Sequence, residues 1–215
     1  MIKGIIFDLD GTLINTIVDI ANSVNAVLED YGYNTYTIEE VQKKVGHGFK
    51  QLLKDALPAN ASNELQVEAV EKFMYYYDKF YADNTHPYDG IIDMLRGLQE
   101  RGIKIAINTN KHEEYARILV SELFKDINFV DIRGQLNTRP IKPDPYNANI
   151  IIEEMGLDKS KVIFTGDSAT DIKTGNNLGV STIGVTWGYR EVDELKENGA
   201  TYIVNHPSEI LDIVK

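Results

Sequence analysis

The chain has 215 residues, no cysteine, 43% apolar side chains and 26% charged ones. That is the composition of an ordinary soluble globular protein, and it excludes disulfide scaffolds, cysteine-based zinc ribbons, thiol catalysis and disorder. With 22 basic against 33 acidic residues the formal charge is −11, and so large an acidic excess repels phosphate backbones, which argues against nucleic acids and anionic membranes as partners.

A chain of this length buries roughly 70% of the surface it exposes unfolded and has room for one domain plus a smaller insertion. Its start, Met1 to Gly11, carries one lysine and a short apolar run that stops at an acid. That fits neither a signal peptide nor a membrane span, so a cytoplasmic location is expected. The first strand is predicted over Lys3 to Phe7. From Ile17 to Tyr81 the pattern turns helical, three or four helices broken at Tyr31 to Asn34, at Gly46-His47-Gly48 and at Pro58 to Asn60. The aromatic cluster Phe73, Tyr75, Tyr76, Tyr77, Phe80 and Tyr81 is expected to pack as one face of a helix in the core of that segment.

Further β-branched runs follow at Ile103 to Ile107, Lys161 to Phe164, Ser181 to Val185 and Thr201 to Val204, with a weaker one at Asn128 to Ile132. Between them lie amphipathic helical patterns at about Ile91 to Arg101, Glu113 to Leu123, Pro145 to Met155 and Asp171 to Leu178. This alternation predicts an α/β fold, a doubly wound parallel sheet with right-handed crossovers. The helical stretch is too long for an ordinary crossover. It reads as an inserted all-helical cap over residues 17–84, the core being residues 1–16 and 85–215, with hinges near Ile14 to Ile17 and Asn84 to Tyr88.

Asp8 and Asp10 directly follow the first strand, with Gly11 permitting a sharp exit; the carboxyl edge of such a sheet is where α/β proteins build sites. A calcium loop needs a third acid that is missing here. Three more polar groups are placed just past other strands: Thr109-Asn110-Lys111, Lys142-Pro143, and Gly166-Asp167 with Asp171. Each is weak alone, and an isolated Lys-Pro is ordinarily a solvated loop. Their order along one sheet brings an Asp pair, a Thr, a Lys and a second Asp pair to one crevice.

These residues resemble the motifs of the haloacid dehalogenase superfamily, in particular its phosphoglycolate phosphatase-like group with a helical cap. The resemblance spans essentially the whole chain, through Asp8 to Thr12, Thr109 with Asn110-Lys111, Lys142-Pro143, and Gly166 to Asp171. It implies that Asp8 is the nucleophile, forming an aspartyl phosphate, and that Asp10 is general acid and then base. An Asp at position 10 points to phosphoryl rather than haloacid chemistry. The resemblance also implies Mg2+, held by the Asp8 and Asp167 carboxylates and the Asp10 carbonyl. Asp171 joins this metal group as an acid that orients metal-bound water or a lysine more than as a direct ligand. Lys142 and the Thr109 hydroxyl, with backbone N–H groups around Leu9 to Gly11 and Asn110, would hold the phosphate oxygens. Four carboxylates in one crevice make sense only beside a dication and a lysine.

His47 and Lys50, in the cap, stand where the family's loops face the leaving group. His112 is placed to cap the next helix, and with His86 and His206 it is read as structural or solvated. Asn176 and Asn177 replace alanines that relatives pack against the sheet, and Asn15 replaces an acid. The implied activity is magnesium-dependent hydrolysis of a small phosphorylated metabolite, a phosphoglycolate-like phosphomonoester, by a monomer or homodimer. A β-phosphoglucomutase-type mutase, an inorganic pyrophosphatase and a non-catalytic phosphate-binding protein are the alternatives.

Overall fold

The computed structural model describes the whole chain, Met1–Lys215. It divides into two compact units, one formed by Met1–Ile14 with Pro87–Lys215 and the other by Asn15–His86. In chain order the strands are β1 (Gly4–Phe7), β2 (Ile14–Asn15), β3 (His86–Pro87), β4 (Lys104–His112), β5 (Phe129–Gln135), β6 (Val162–Gly166), β7 (Ser181–Val185) and β8 (Tyr202–Val204). The helices are α1 (Ile17–Asp30), α2 (Ile38–Gln42), α3 (Gly48–Ala56), α4 (Asn63–Phe80), α5 (Ile91–Glu100), α6 (Glu113–Leu123), α7 (Tyr146–Met155), α8 (Ala169–Leu178), α9 (Val192–Glu197) and α10 (Ile210–Ile213).

Six strands form one sheet in the order β5-β4-β1-β6-β7-β8, and every neighbouring pair is parallel. Gly4–Phe7 is buried at every position, as an apolar run must be when helices cover both faces of a parallel sheet. On one face Ile6, Ala106 and Phe164 pack with Ala148, Ile151, Ile152 and Met155 of α7. Full burial of each large aliphatic side chain there is worth about 1.5–3 kcal/mol. The chain leaves β1 toward β4 and β5 and returns to the other side of β1 for β6, β7 and β8, so the winding reverses between β1 and β6. Phe7 is in register with Ile107 and with Thr165. Asp8, Asn108 and Gly166 therefore stand level at the carboxyl edge, where a doubly wound sheet opens its crevice.

The structure extends some expectations and corrects others. Thr109, Asn110 and Lys111 are not in a loop past a strand ending at Ile107; β4 runs on to His112, paired irregularly with β5. The polar run Asn108 to Lys111 is buried at all four positions, so tertiary pairing overrides its loop-like composition. The short β2, β3, α9 and α10 lack the length for a detectable period. Asn176 and Asn177 do not face the sheet: both are exposed, Asn176 donating to the Asn198 carbonyl and Asn177 to the Pro143 carbonyl.

Within Asn15–His86, four helices enclose their own core. Phe73 and Tyr77 are fully buried, with the Phe49 ring 4.6 and 5.2 Å from theirs. The predicted single aromatic face splits: Tyr75 is 58% exposed, beneath the Lys79 ammonium at 3.9 Å. Helical spacing explains this, since residues 73 and 77 share a side and residue 75 lies two positions round the helix. Thr37 and Glu40 form a reciprocal capping box at α2. Asp19, fully buried, accepts from the Asn84 N–H at 3.0 Å and the Thr85 hydroxyl at 2.7 Å, joining the first and last segments of this unit.

Candidate active site

At the carboxyl edge of the sheet the chain after Asp8 coils through a tight turn. The Leu9 carbonyl accepts from the N–H groups of Thr12, Leu13 and Ile14, and the Gly11 N–H donates to the Ile14 carbonyl at 2.9 Å. The Gly11 N–H is thus engaged within the turn rather than left for a phosphate. Gly11 matters sterically: its φ is +83°, and a Cβ there would lie 2.5 Å from Asp167 Oδ2.

Asp8 Oδ1 accepts from its neighbour's Leu9 N–H at 2.7 Å and from Lys142 Nζ at 2.8 Å. Lys142 Nζ also reaches Asp171 Oδ1 at 2.6 Å, and Lys142 and Asp171 are both buried. Asp171 Oδ2 accepts from the Ser168 N–H at 3.0 Å and its hydroxyl at 2.6 Å, the capping box of α8. Both Asp171 oxygens therefore meet protein donors, and the geometry makes it the partner that orients the lysine. Asn110 grips the same loop with its side chain, accepting from the Lys142 N–H at 2.9 Å and donating to the Lys142 carbonyl at 3.2 Å. Thr109 Oγ1 accepts from the Lys111 N–H at 3.2 Å.

Asp167, just past the end of β6, is buried with both oxygens held. Thr12 Oγ1 donates to Oδ1 at 3.1 Å and the Tyr189 N–H to Oδ2 at 2.8 Å. Asp10 turns to a different cation, with Lys111 Nζ 3.0 Å from its Oδ1 and 3.3 Å from its Oδ2.

The electrostatics follow from burial. Asp8 is pushed up to about 8, by burial first and then by the Asp171 and Asp167 carboxylates, against the pull of Lys142. Burial and Asp171 raise Asp167 to about 7, against the Tyr189 N–H and the Thr12 hydroxyl. Burial alone would lower Lys142, but Asp171 and Asp8 outweigh it and hold the ammonium above the ordinary lysine range. Oxygen atoms of Asp8, Asp167 and Asp171 lie within 4.8 Å of one another. Three converging carboxylates and one lysine leave an uncompensated negative charge, and hard oxygen donors of this kind fit a divalent cation such as Mg2+.

The family model of haloacid dehalogenase-like hydrolases matches residues 5–185. The chain belongs to the haloacid dehalogenase-like hydrolases. It is 32% identical over 208 residues to a phosphoglycolate phosphatase of Neisseria meningitidis, covering 93% of this chain and 87% of that protein. With a phosphoglycolate phosphatase of Vibrio parahaemolyticus it shares 29% identity, over 99% of this chain and 96% of the relative. A crystal structure from Lactobacillus delbrueckii subsp. bulgaricus, provisionally named a phosphoglycolate phosphatase, superposes with a TM-score of 0.93 at 28% identity, covering 99% of this chain and 98% of that one.

In this haloacid dehalogenase-like hydrolase Asp8, Lys142, Asp167 and Asp171 come together, with Thr12 and Ser168 as their donors. His47 and Lys50 belong to the helical unit, at the start of α3, and both are exposed. His112 stands before α6 but its side chain makes no capping bond. His86 Nδ1 lies 2.7 Å from the Asn84 carbonyl, and His206 accepts from the Ser208 N–H. Sequence reasoning passed over Lys111 as a site residue; reading β4 through to His112 would have put it on the same face as Thr109, two residues earlier. It also missed Tyr88, whose hydroxyl is held above the ordinary tyrosine range by burial and by Asp167, and the loop from Thr186 to Arg190.

Proposed function

We propose that this protein is a magnesium-dependent phosphatase that hydrolyses a small phosphomonoester of the phosphoglycolate type through an aspartyl phosphate on Asp8. The observation that carries the reading is the fixing of Asp8 Oδ1 by the Leu9 N–H and Lys142 at the switch of the sheet, with Asp10 two residues on and paired to its own lysine. Such a carboxylate is an oriented nucleophile rather than a surface acid.

Asp8 attacks phosphorus, the bond to the alcohol oxygen breaks, and Asp10 delivers a proton to that leaving oxygen. Water then attacks the phosphorus of the acyl phosphate, Asp10 takes the water's proton, and the Asp8 carboxylate is regenerated as phosphate departs. Lys142 neutralises charge on the transferring group. The Thr109 hydroxyl, which accepts from the Lys111 N–H, retains its hydrogen to donate to a phosphate oxygen. Asp171 keeps the lysine in place, and Lys111 keeps Asp10 in place. Asp8 and Asp167, with the Asp10 carbonyl, would hold Mg2+, which when bound supplies charge neutralisation and polarises the phosphoryl oxygens.

The names of the relatives support phosphoglycolate as the first substrate to assay. Assignment of His47 and Lys50 to the leaving group rests on family resemblance, as does a cytoplasmic location; no helix is long and apolar enough to cross a membrane. The test is phosphate release with and without Mg2+ from phosphoglycolate, pyrophosphate, sugar phosphates and mononucleotides, with Asp8→Asn as the blank. Magnesium-dependent release that vanishes in Asp8→Asn is expected, fastest on phosphoglycolate. Dominant release from pyrophosphate, or isomerisation of a sugar phosphate primed by a bisphosphate, would replace the substrate assignment. Wild-type rates in Asp8→Asn would refute the nucleophile.

A further inference from the structure

The segment that leaves β7, Thr186-Trp187-Gly188-Tyr189-Arg190, carries none of the residues expected to do chemistry, yet it contacts the acidic site at three points. The Trp187 indole N–H donates to the Thr12 carbonyl at 2.9 Å. The Tyr189 N–H donates to Asp167 Oδ2 at 2.8 Å. Gly188 packs so closely between them that a Cβ would collide with Asp167 and with the Gly11 carbonyl. Thr12 in turn donates its hydroxyl to Asp167 Oδ1 at 3.1 Å, which closes a ring of contacts from Trp187 through Thr12 and Asp167 to Tyr189.

We infer that this loop positions the cation site, with Trp187 as the positioning residue that holds the turn after Asp8 and the Asp167 carboxylate in a fixed mutual geometry. The inference rests on the proposed metal site. The physical need is plain. Asp167 is buried, and a buried carboxylate without fixed donors would swing toward any better one. Donors on both oxygens fix its plane and leave one lone-pair direction on each for a cation. Neither donor belongs to the Gly166 to Asp171 segment itself. Trp187 does not touch the metal; it holds the Thr12 carbonyl, and with it the main chain that carries both Thr12 Oγ1 and the Asp10 carbonyl. Outer-shell partners of this kind typically govern about 10–100-fold in metal affinity.

The test is direct titration of the metal-free protein with Mg2+ by calorimetry, in the absence of substrate, alongside the metal-free melting temperature. Trp187→Phe keeps an aromatic ring and deletes the donor. It is expected to weaken Mg2+ binding about 10-fold with the metal-free melting temperature nearly unchanged, a split that a merely structural tryptophan would not give. Gly188→Ala, which inserts the excluded Cβ, is expected to weaken binding further. Wild-type protein that binds Mg2+ while Trp187→Phe binds it equally well would overturn this inference and leave the metal site standing. Wild-type protein that binds no Mg2+ would overturn the metal site and this inference with it. Should Trp187→Phe not fold, Thr12→Val severs the next bond of the same ring at constant shape, and the same two outcomes decide.

Discussion

Metal-free protein should lose stability as pH rises from 5 to 8, and Mg2+ should abolish that loss. Asp8 and Asp167 sit near 8 and 7 in the folded chain, against about 3.9 for an aspartate in an unfolded chain. A raised carboxyl pKa means that the folded state binds more protons than the unfolded one. Stability from these two groups is therefore fully present below about pH 4 and is lost as pH climbs through the folded values. Each proton taken up on folding contributes roughly 1.4 kcal/mol per pH unit, so two coupled acids give a slope between about 1 and 3 kcal/mol per unit. A divalent cation replaces those protons, so its stabilisation should grow from pH 5 to pH 8. Urea melts at pH 5, 6, 7 and 8, in chelator and in excess Mg2+, measure this directly. Asp8→Asn should reduce the metal-free slope by about one proton, because its amide does not titrate. Metal-free stability that is flat or rising across this range, together with an Mg2+ effect that ignores pH, would refute the reasoning from burial and like-charge repulsion.

Lys142→Met leaves Asp8 and Asp171 without their shared ammonium, and breaking such a buried pair from one side costs about 3–5 kcal/mol. Urea melts at pH 7 should show that loss, and phosphate release should fall at least about 100-fold. Lys111→Met frees Asp10, whose side chain is 13% exposed, so water can partly replace the lysine and the stability loss should stay near 1–2 kcal/mol. Its kcat should fall by an order of magnitude or more while KM changes little, and an unchanged kcat would exclude a positioning role for Lys111. Asn108 is buried beside this site with neither its amide nitrogen nor its oxygen partnered, an arrangement that costs about 1–3 kcal/mol per group. Asn108→Val should raise the melting temperature by a few degrees, since β-branched side chains suit a buried strand; a lower melting temperature would show that a trapped water serves that amide.

The strands could be read from sequence because a buried parallel strand is a short, nearly unbroken apolar run, and Lys3 to Phe7 or Ser181 to Val185 offers no competing pattern. Thr109 to Lys111 misled for the opposite reason. A polar run at a strand end carries the composition of a loop, and only pairing with β5 keeps it extended. Lys111, although it stands in the same motif as Thr109 and Asn110, takes no role from the sequence in consequence. For Asn110 the sequence suggests a backbone N–H for the phosphate; that its side chain also grips the main chain of Lys142 shows only in the fold.

Sequence alone supplied the residues of the crevice: carboxylates after β1 and β6, a lysine before α7, and Thr109, because residue types and the ends of apolar strands such as β1 and β6 are local properties. Tertiary structure decided which carboxylate meets which cation. Lys142 reaches 29 residues along the chain to Asp171 while also meeting Asp8, and Lys111 reaches back 101 residues to Asp10. It also decided that Asp167 is held by the Tyr189 main chain and by Thr12. Every residue but proline carries a backbone N–H, so no sequence pattern marks the one that a fold aims at a buried carboxylate.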